Sequence, residues 1–203
     1  GAGALAAPFG SFAQQQGKVW RVGFLSSTGR PADLESHYIG AFPRGMRELG
    51  YVEGKNLVIE WRFADGTPTR AAVLAMELVQ MNVDVIVAGN PVSTLAAQKA
   101  TTTIPIVMAN SGDPVGSGFV KSLAHPGGNI TGLSTLSGDL GPKHLEMLLT
   151  MAPKLTRVAF LKNPANASHV AMQKNVQTAS ARTKVTILPM QAGTAPELEQ
   201  AFS

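Results

Sequence analysis

Hydrophobic residues along this chain fall into short runs of strand length, and between the runs they recur at the spacing of a helix face. Residues 19–26 (VWRVGFLS) form the first run, nearly continuous, as in a strand buried on both faces of a parallel sheet. A turn-rich stretch, Ser27-Thr28-Gly29-Arg30-Pro31, follows. Asp33 is placed to cap a helix running to about Leu49, with Ile39, Phe42, Met46 and Leu49 on one face and Gly50 as its stop. Pro43 falls inside that helix and predicts a bend or an interrupted backbone bond. Residues 56–63 (NLVIEWRF) read as the second strand, and Thr67-Pro68 opens a helix to about Gln80, with Pro68 suited to its first turn. The third and fourth strands are residues 83–88 (VDVIVA) and 104–109 (IPIVMA). Each strand–helix–strand step has the length of a right-handed crossover, so the pattern predicts an α/β fold with a doubly wound parallel sheet.

After Ala109 the rhythm changes. Residues 110–134, rich in Gly and Pro, lead into a short strand at 130–133. Residues 138–151 then read as a helix, 157–161 (RVAFL) as a strand, 165–181 as a helix and 185–188 as a strand, and Pro196 begins a further helix. The pattern divides the chain into an N-terminal α/β lobe over residues 14–135 and a partial second lobe over 136–203. Two strands with two and a half helices do not close a sheet covered on both faces, so the second lobe is expected to be incomplete.

Composition narrows the function. Of 203 residues, 44% are hydrophobic and 15% charged, which is too apolar for disorder and ample for one core. No run of about 18 uninterrupted apolar residues exists to span a bilayer. The net charge of +4 is scattered, without a block of like charges, which argues against nucleic acid as a partner. The absence of cysteine removes disulfides, thiolate metal sites, a cysteine nucleophile and a lipid anchor on cysteine. Residues 1–13 (GAGALAAPFGSFA) are small and uncharged, and Ser11-Phe12-Ala13 fits the small-x-small cleavage rule. They read as the remnant of a secretory signal, with the mature chain beginning at Gln14 in the periplasm; a plain Ala/Gly extension is the alternative.

Two segments share a local motif. VIVAGNPVSTLAAQ and VAFLKNPANASHVAMQ each run from an apolar strand through Asn-Pro into a helix, at Asn90-Pro91 and Asn163-Pro164. Asn caps such a helix and Pro takes its first position, where the missing N–H costs nothing. That start lies at the carboxyl end of a strand, where open α/β sheets bind ligands and the positive helix end favours a carboxylate or phosphate. Good capping chemistry alone explains either copy; two copies suggest a cleft gripped from both sides. The first lobe's expected rim is Ser26 and Ser27 after the first strand, Asn90, Pro91, Ser93 and Thr94 after the third, and Asn110 and Asp113 after the fourth. Asn163 to Asn166 would approach from the second lobe. Asp113 before Pro114 either orients a ligand amine or merely builds a turn.

The order GFLSS, ELGYVEGKNLVIEWRFADG, VDVIVAGNP, TTTIPIVMANSGDPVGSGFVKSLAHPGGNITGLS and VAFLKNPAN resembles the substrate-binding proteins of ABC importers, in the branch of tryptophan/tyrosine transport solute-binding proteins. The resemblance runs from about Val22 to the chain end and is most specific from Ile104 to Gly132. It implies a type I periplasmic-binding fold of two α/β lobes. It further implies a small amino acid-like or aromatic carboxylate ligand held between them without conversion, hand-off to an inner-membrane permease, no cofactor, and a monomer. Members of that family are about half as long again, so the rest of the second lobe is expected outside these residues.

Competing motifs are weak. Residues 50–56 (GYVEGKN) have too few residues between the glycines for a phosphate loop, and Asn stands where Ser or Thr should follow Lys. Gly116-Ser117-Gly118 lacks the third glycine of a dinucleotide fingerprint, and no Gly-x-Ser-x-Gly elbow is present. His37, His125, His144 and His169 lack metal-ligand spacing. The sequons at Asn129 and Asn166 are short enough to arise by chance. The remaining rivals are a ligand-sensing domain of the same fold, which would carry an N-terminal helix-turn-helix in place of this Ala/Gly/Gln segment, and a flavodoxin-like enzyme, which needs a phosphate loop or a charged triad.

Overall fold

The computed structural model describes residues 17–135 and 140–202. Strands β1 (Trp20–Ser26), β2 (Leu57–Phe63), β3 (Val85–Ala88), β4 (Ile106–Ser111) and β5 (Ile130–Ser134) form one sheet in the order β2-β1-β3-β4-β5, every pair parallel. The order reverses at β1, with β2 on one side and β3 to β5 on the other. The carboxyl ends of β1 and β3 therefore flank the switch point at which doubly wound sheets bind ligands.

Helices α1 (Ala41–Glu48), α2 (Pro68–Gln80) and α3 (Pro91–Ala100) cover this sheet on both faces. Alternation along each strand decides which residue meets which helix. Leu25, Ile86, Ala88, Ile106 and Met108 pack with Leu74 and Leu78 of α2 and with Ala96 and Ala97 of α3. Val22, Phe24, Ile59 and Val87 form the opposite core with Ile39, against which Phe42 and Met46 of α1 pack. Burying a side chain such as Leu78 or Ile86, both at 0% exposure, stabilises by about 1.5–3 kcal/mol. Gly23 is where α2 comes closest: a Cβ there would lie 2.8 Å from Leu78 Cδ2.

The remaining described chain builds a smaller unit. Strands β6 (Arg157–Lys162) and β7 (Thr186–Gln191) pair in parallel, with α4 (Leu140–Met151), α5 (Ala167–Ser180) and α6 (Ala195–Ala201) beside them. Its core is Leu145, Val176, Val185 and Ile187, with Val158, Phe160 and Met172 packed around it. β7 runs on through Pro189, which an edge strand accommodates.

Three expectations are corrected. The helix foreseen from Asp33 begins at Ala41, because Asp33 Oδ1 accepts the Glu35 N–H (2.9 Å) in a turn and a 3-10 turn over Tyr38–Gly40 intervenes, capped by His37. Pro43 thereby falls in the first turn of α1, where no intrahelical donor is required, and it breaks nothing. The helix foreseen directly after Asn163-Pro164 begins at Ala167, with Asn166 as its cap. The expected cleavage point after Ala13, the start of the second lobe at 136, and Gly138 lie outside the described residues.

Candidate functional site

The first unit's expected rim sits at the carboxyl end of the five-stranded sheet. Ser26 is 1% exposed; its Oγ bonds Thr28 Oγ1 (2.8 Å) and accepts the Thr28 N–H (3.3 Å). Ser27 is half-buried beside it, and its carbonyl accepts the Gly66 N–H (2.7 Å), which ties the β1 loop to the start of α2. On the adjacent β3, Gly89 N–H donates to the Leu25 carbonyl (2.9 Å) and the chain then reaches Asn90 in extended conformation.

Asn90 closes a compact cap. Its Oδ1 accepts the Ser93 N–H (3.0 Å) and the Ser93 hydroxyl (3.1 Å), and its carbonyl accepts the Thr94 hydroxyl (3.0 Å). Ser93 and Thr94 are both at 0% exposure, so the cap consumes the hydroxyls that the sequence suggested as ligand donors. Pro91 has no N–H, and the Ser93 N–H is spent on Asn90. The amide of Val92 is thus the donor of this first turn that the cap leaves unused.

At the end of β4, Asn110 is exposed and Ser111 fully buried, and the Ser111 hydroxyl has no partner among the described residues. Asp113 is half-buried; its Oδ1 accepts the Gly116 N–H (2.7 Å) while its carbonyl accepts the Ser117 N–H (3.0 Å). The turn reading of Asp113 therefore holds in this structure. Beyond it, Phe119 and Val120 anchor the loop in the core.

The second unit answers with a different geometry from the same dipeptide. Asn163 Oδ1 accepts the Ala165 N–H (2.9 Å), and its N–H donates to His169 Nδ1 (3.1 Å). Asn166 Oδ1 accepts the Ser168 N–H (3.0 Å) and so caps α5. Because His169 Nδ1 is an acceptor, its ring proton sits on Nε2. Burial pushes the His169 imidazole below the ordinary histidine range.

The two units meet here. Ser117 Oγ and Ser168 Oγ lie 3.3 Å apart, and α3 and α5 run against each other. Between them opens a cleft of about 670 Å³, walled by Val92, Leu95 and Lys99 of α3 and by Val170, Ala171 and Lys174 of α5. Gly116, Ser117, Pro164 and Ala165 also line it. None of the ten expected residues lines this cleft, but its walls are their neighbours: Val92 after Pro91, Gly116 beyond Asp113, and Pro164 with Ala165 between Asn163 and Asn166. Sequence reading missed both lysines, which directly follow the two repeated segments at Gln98 and Gln173. Among the described residues, no group of three His, Asp or Glu side chains gathers as a metal site requires.

Known proteins of similar sequence and fold set this chain in a family. A family model described as ABC transporter substrate binding protein matches residues 32–203. A tyrosine-binding protein of Clostridioides difficile (strain R20291) is 31% identical over 163 residues, covering 80% of this chain and 46% of that protein. The chain thus spans about half the length of that curated relative. The crystal structure of a conserved domain protein from Vibrio cholerae O1 biovar eltor superposes with a TM-score of 0.76 at 31% identity, over 91% of this chain and 61% of that one. An ABC domain from Streptococcus pneumonia, solved in complex with L-Trp, shares the fold at a TM-score of 0.73 and 22% identity, over 90% of this chain and 60% of that one.

Proposed function

The chain belongs to the ABC transporter substrate-binding protein family, with a type I periplasmic-binding fold, and from that premise we propose that it holds a small aromatic amino acid or aromatic carboxylate between its two units and releases it unchanged. One observation carries this reading. Loops and helix starts at the strand ends of two separate α/β units face each other across one cleft, joined at Ser117 and Ser168.

The division of labour follows from the bonds already spent. Ser26, Ser93 and Thr94 act indirectly, by fixing the β1 loop and the start of α3. The Val92 amide on the cleft wall, with Ser27 and Asn110 at the neighbouring strand ends, offers the contacts of lobe one, residues 14–135, to a carboxylate. Asn163 to Asn166 of lobe two, residues 136–203, close over a ligand already seated, in the hinge motion open to a two-lobed protein. Export to the periplasm and delivery to an inner-membrane permease complete the transport role, with the binding protein a monomer and without a cofactor.

The tyrosine recognised by the C. difficile relative supports the aromatic class. Isothermal titration of the chain with aromatic amino acids and aromatic acids, followed by mass spectrometry of the recovered ligand, tests the reading. At least one ligand binds and returns at its original mass; binding by none, or conversion of the one bound, refutes it.

A further inference from the structure

We infer that Asp113 is a positioning residue for the approach of the two units: it shapes the turn from which Ser117 meets Ser168, and that contact sets how closely α5 lies to α3. The inference goes beyond the solute-binding reading and does not depend on a ligand.

The turn is tied from every side. Pro114 is fully buried, and its carbonyl accepts the Phe119 N–H (2.9 Å) and the Val120 N–H (3.3 Å), so the two ends of the loop are fixed to each other. Across its base, Asp113 Oδ1 accepts the Gly116 N–H (2.7 Å) and the Asp113 carbonyl accepts the Ser117 N–H (3.0 Å). Gly116 lies so close to this carboxylate that an added Cβ would run into Asp113 Oδ2. Gly118 follows at φ +73°, which glycine adopts at no steric cost, and its carbonyl accepts the Gln98 side-chain amide of α3 (2.8 Å).

What this turn presents is Ser117. Its Oγ lies 3.3 Å from Ser168 Oγ at the start of α5. The α5 cap uses the Ser168 N–H, on Asn166 Oδ1 (3.0 Å), and leaves the hydroxyl to Ser117. Ser168 is only 7% exposed. Gly116 and Ser117 line the cleft from lobe one, and Pro164 and Ala165, just ahead of α5, line it from lobe two. A change at the Ser117–Ser168 contact therefore changes the width of the cleft. One neutral hydrogen bond has a modest net worth, enough to shift the ratio of close to separated units roughly twofold to tenfold.

The chain has no cysteine, so a single introduced pair carries spin labels without interference. Labels at Met76→Cys on α2 and Gln177→Cys on α5, both exposed positions, give the separation of the units by pulsed electron double resonance. The native labelled chain is compared with Asp113→Ala, Asp113→Asn, Ser117→Ala, Ser168→Ala and the double serine variant. The expected result is one defined distance in the native chain and a shift towards longer distances, roughly twofold to tenfold in population, in Asp113→Ala and in each serine variant. The double serine variant shifts no further than either single one, because both remove the same bond. Asp113→Asn keeps the Oδ1 acceptor and retains the native distribution. Ser168→Ala leaves the turn and the α5 cap intact, so it reads the contact even where Asp113→Ala fails to fold. A broad distribution in the native chain, an unshifted one in Asp113→Ala or Ser168→Ala, or an Asp113→Asn variant that behaves like Asp113→Ala overturns the inference and leaves the solute-binding reading standing.

Discussion

The two α/β units use the same local vocabulary and hold it with different force. In β1, five consecutive residues from Val22 to Ser26 are buried, because helices cover both faces of the five-stranded sheet. In β6 exposed and half-buried residues alternate from Arg157 to Lys162, and no residue is fully buried. The Asn-Pro dipeptide follows suit. Asn90 caps its helix directly and binds both the amide and the hydroxyl of Ser93, whereas Asn163 makes a turn three residues ahead of the helix and leans on His169. The fully packed sheet goes with a helix that starts directly at Asn90, the half-exposed one with a turn at Asn163 placed before its helix.

The contrast is broken most forcefully in the cores. Leu78→Ala removes a fully buried side chain from the α2 interface and is expected to cost about 2–5 kcal/mol. Leu145→Ala, in the four-residue core of the second unit, falls at the low end of that range because its surroundings relax more readily. Urea unfolding followed by amide exchange in each sheet separates the two: the first substitution releases β1 and β3, the second only β6 and β7.

Overpacking comes next. Gly23→Ala places a methyl group 2.8 Å from Leu78 Cδ2, and a loss of about 1–3 kcal/mol is expected in the same unfolding measurement. A neutral result would mean that α2 shifts without cost, and the tight packing argued for this unit would fail.

The caps differ by less. Asn90→Ala forfeits the bonds to the Ser93 amide and hydroxyl and is expected to cost about 1–2 kcal/mol, while Asn166→Ala, losing the Ser168 amide bond, costs about 0.5–1 kcal/mol. Thermal unfolding of both variants gives the ranking, and a larger loss at Asn166 would reverse the comparison.

The smallest effect is a pH slope. Burial lowers the pKa of His169 from 6.5, so the folded chain resists a proton that the unfolded chain takes up. Stability from the neutral ring is complete above pH 6.5 and declines as pH falls from there towards the folded-state value. Protonation also removes the Nδ1 acceptor of the Asn163 N–H, so amide exchange at Asn163 should quicken over the same window. His169→Gln should flatten the slope; an unchanged slope would assign it to other groups.

Much of this was legible in the sequence because burial writes itself into periodicity. The runs at β1, β2 and β3 name their strands, and Thr67-Pro68 and Asn90-Pro91 mark helix starts within one residue. Errors arose where one residue type serves two turns. Asp33 and Asn163 have the chemistry of helix caps, but each bonds the amide two residues on and the helix begins later, a choice that tertiary packing makes. Lys99 and Lys174 were illegible as a pair, since nothing in the spacing states that α3 and α5 face each other. The hydroxyls of Ser93 and Thr94 were legible as cap chemistry, but their complete burial depends on the sheet behind them.

The central claim is that one ligand bridges both units. Amide hydrogen exchange at Val92, Gly116–Ser117 and Asn163–Ser168, with and without a saturating aromatic acid, tests it most directly. Exchange should slow at all three places together while β6 and the core of β1 stay unchanged. Protection confined to one unit, or absent from both, would contradict a ligand held between them.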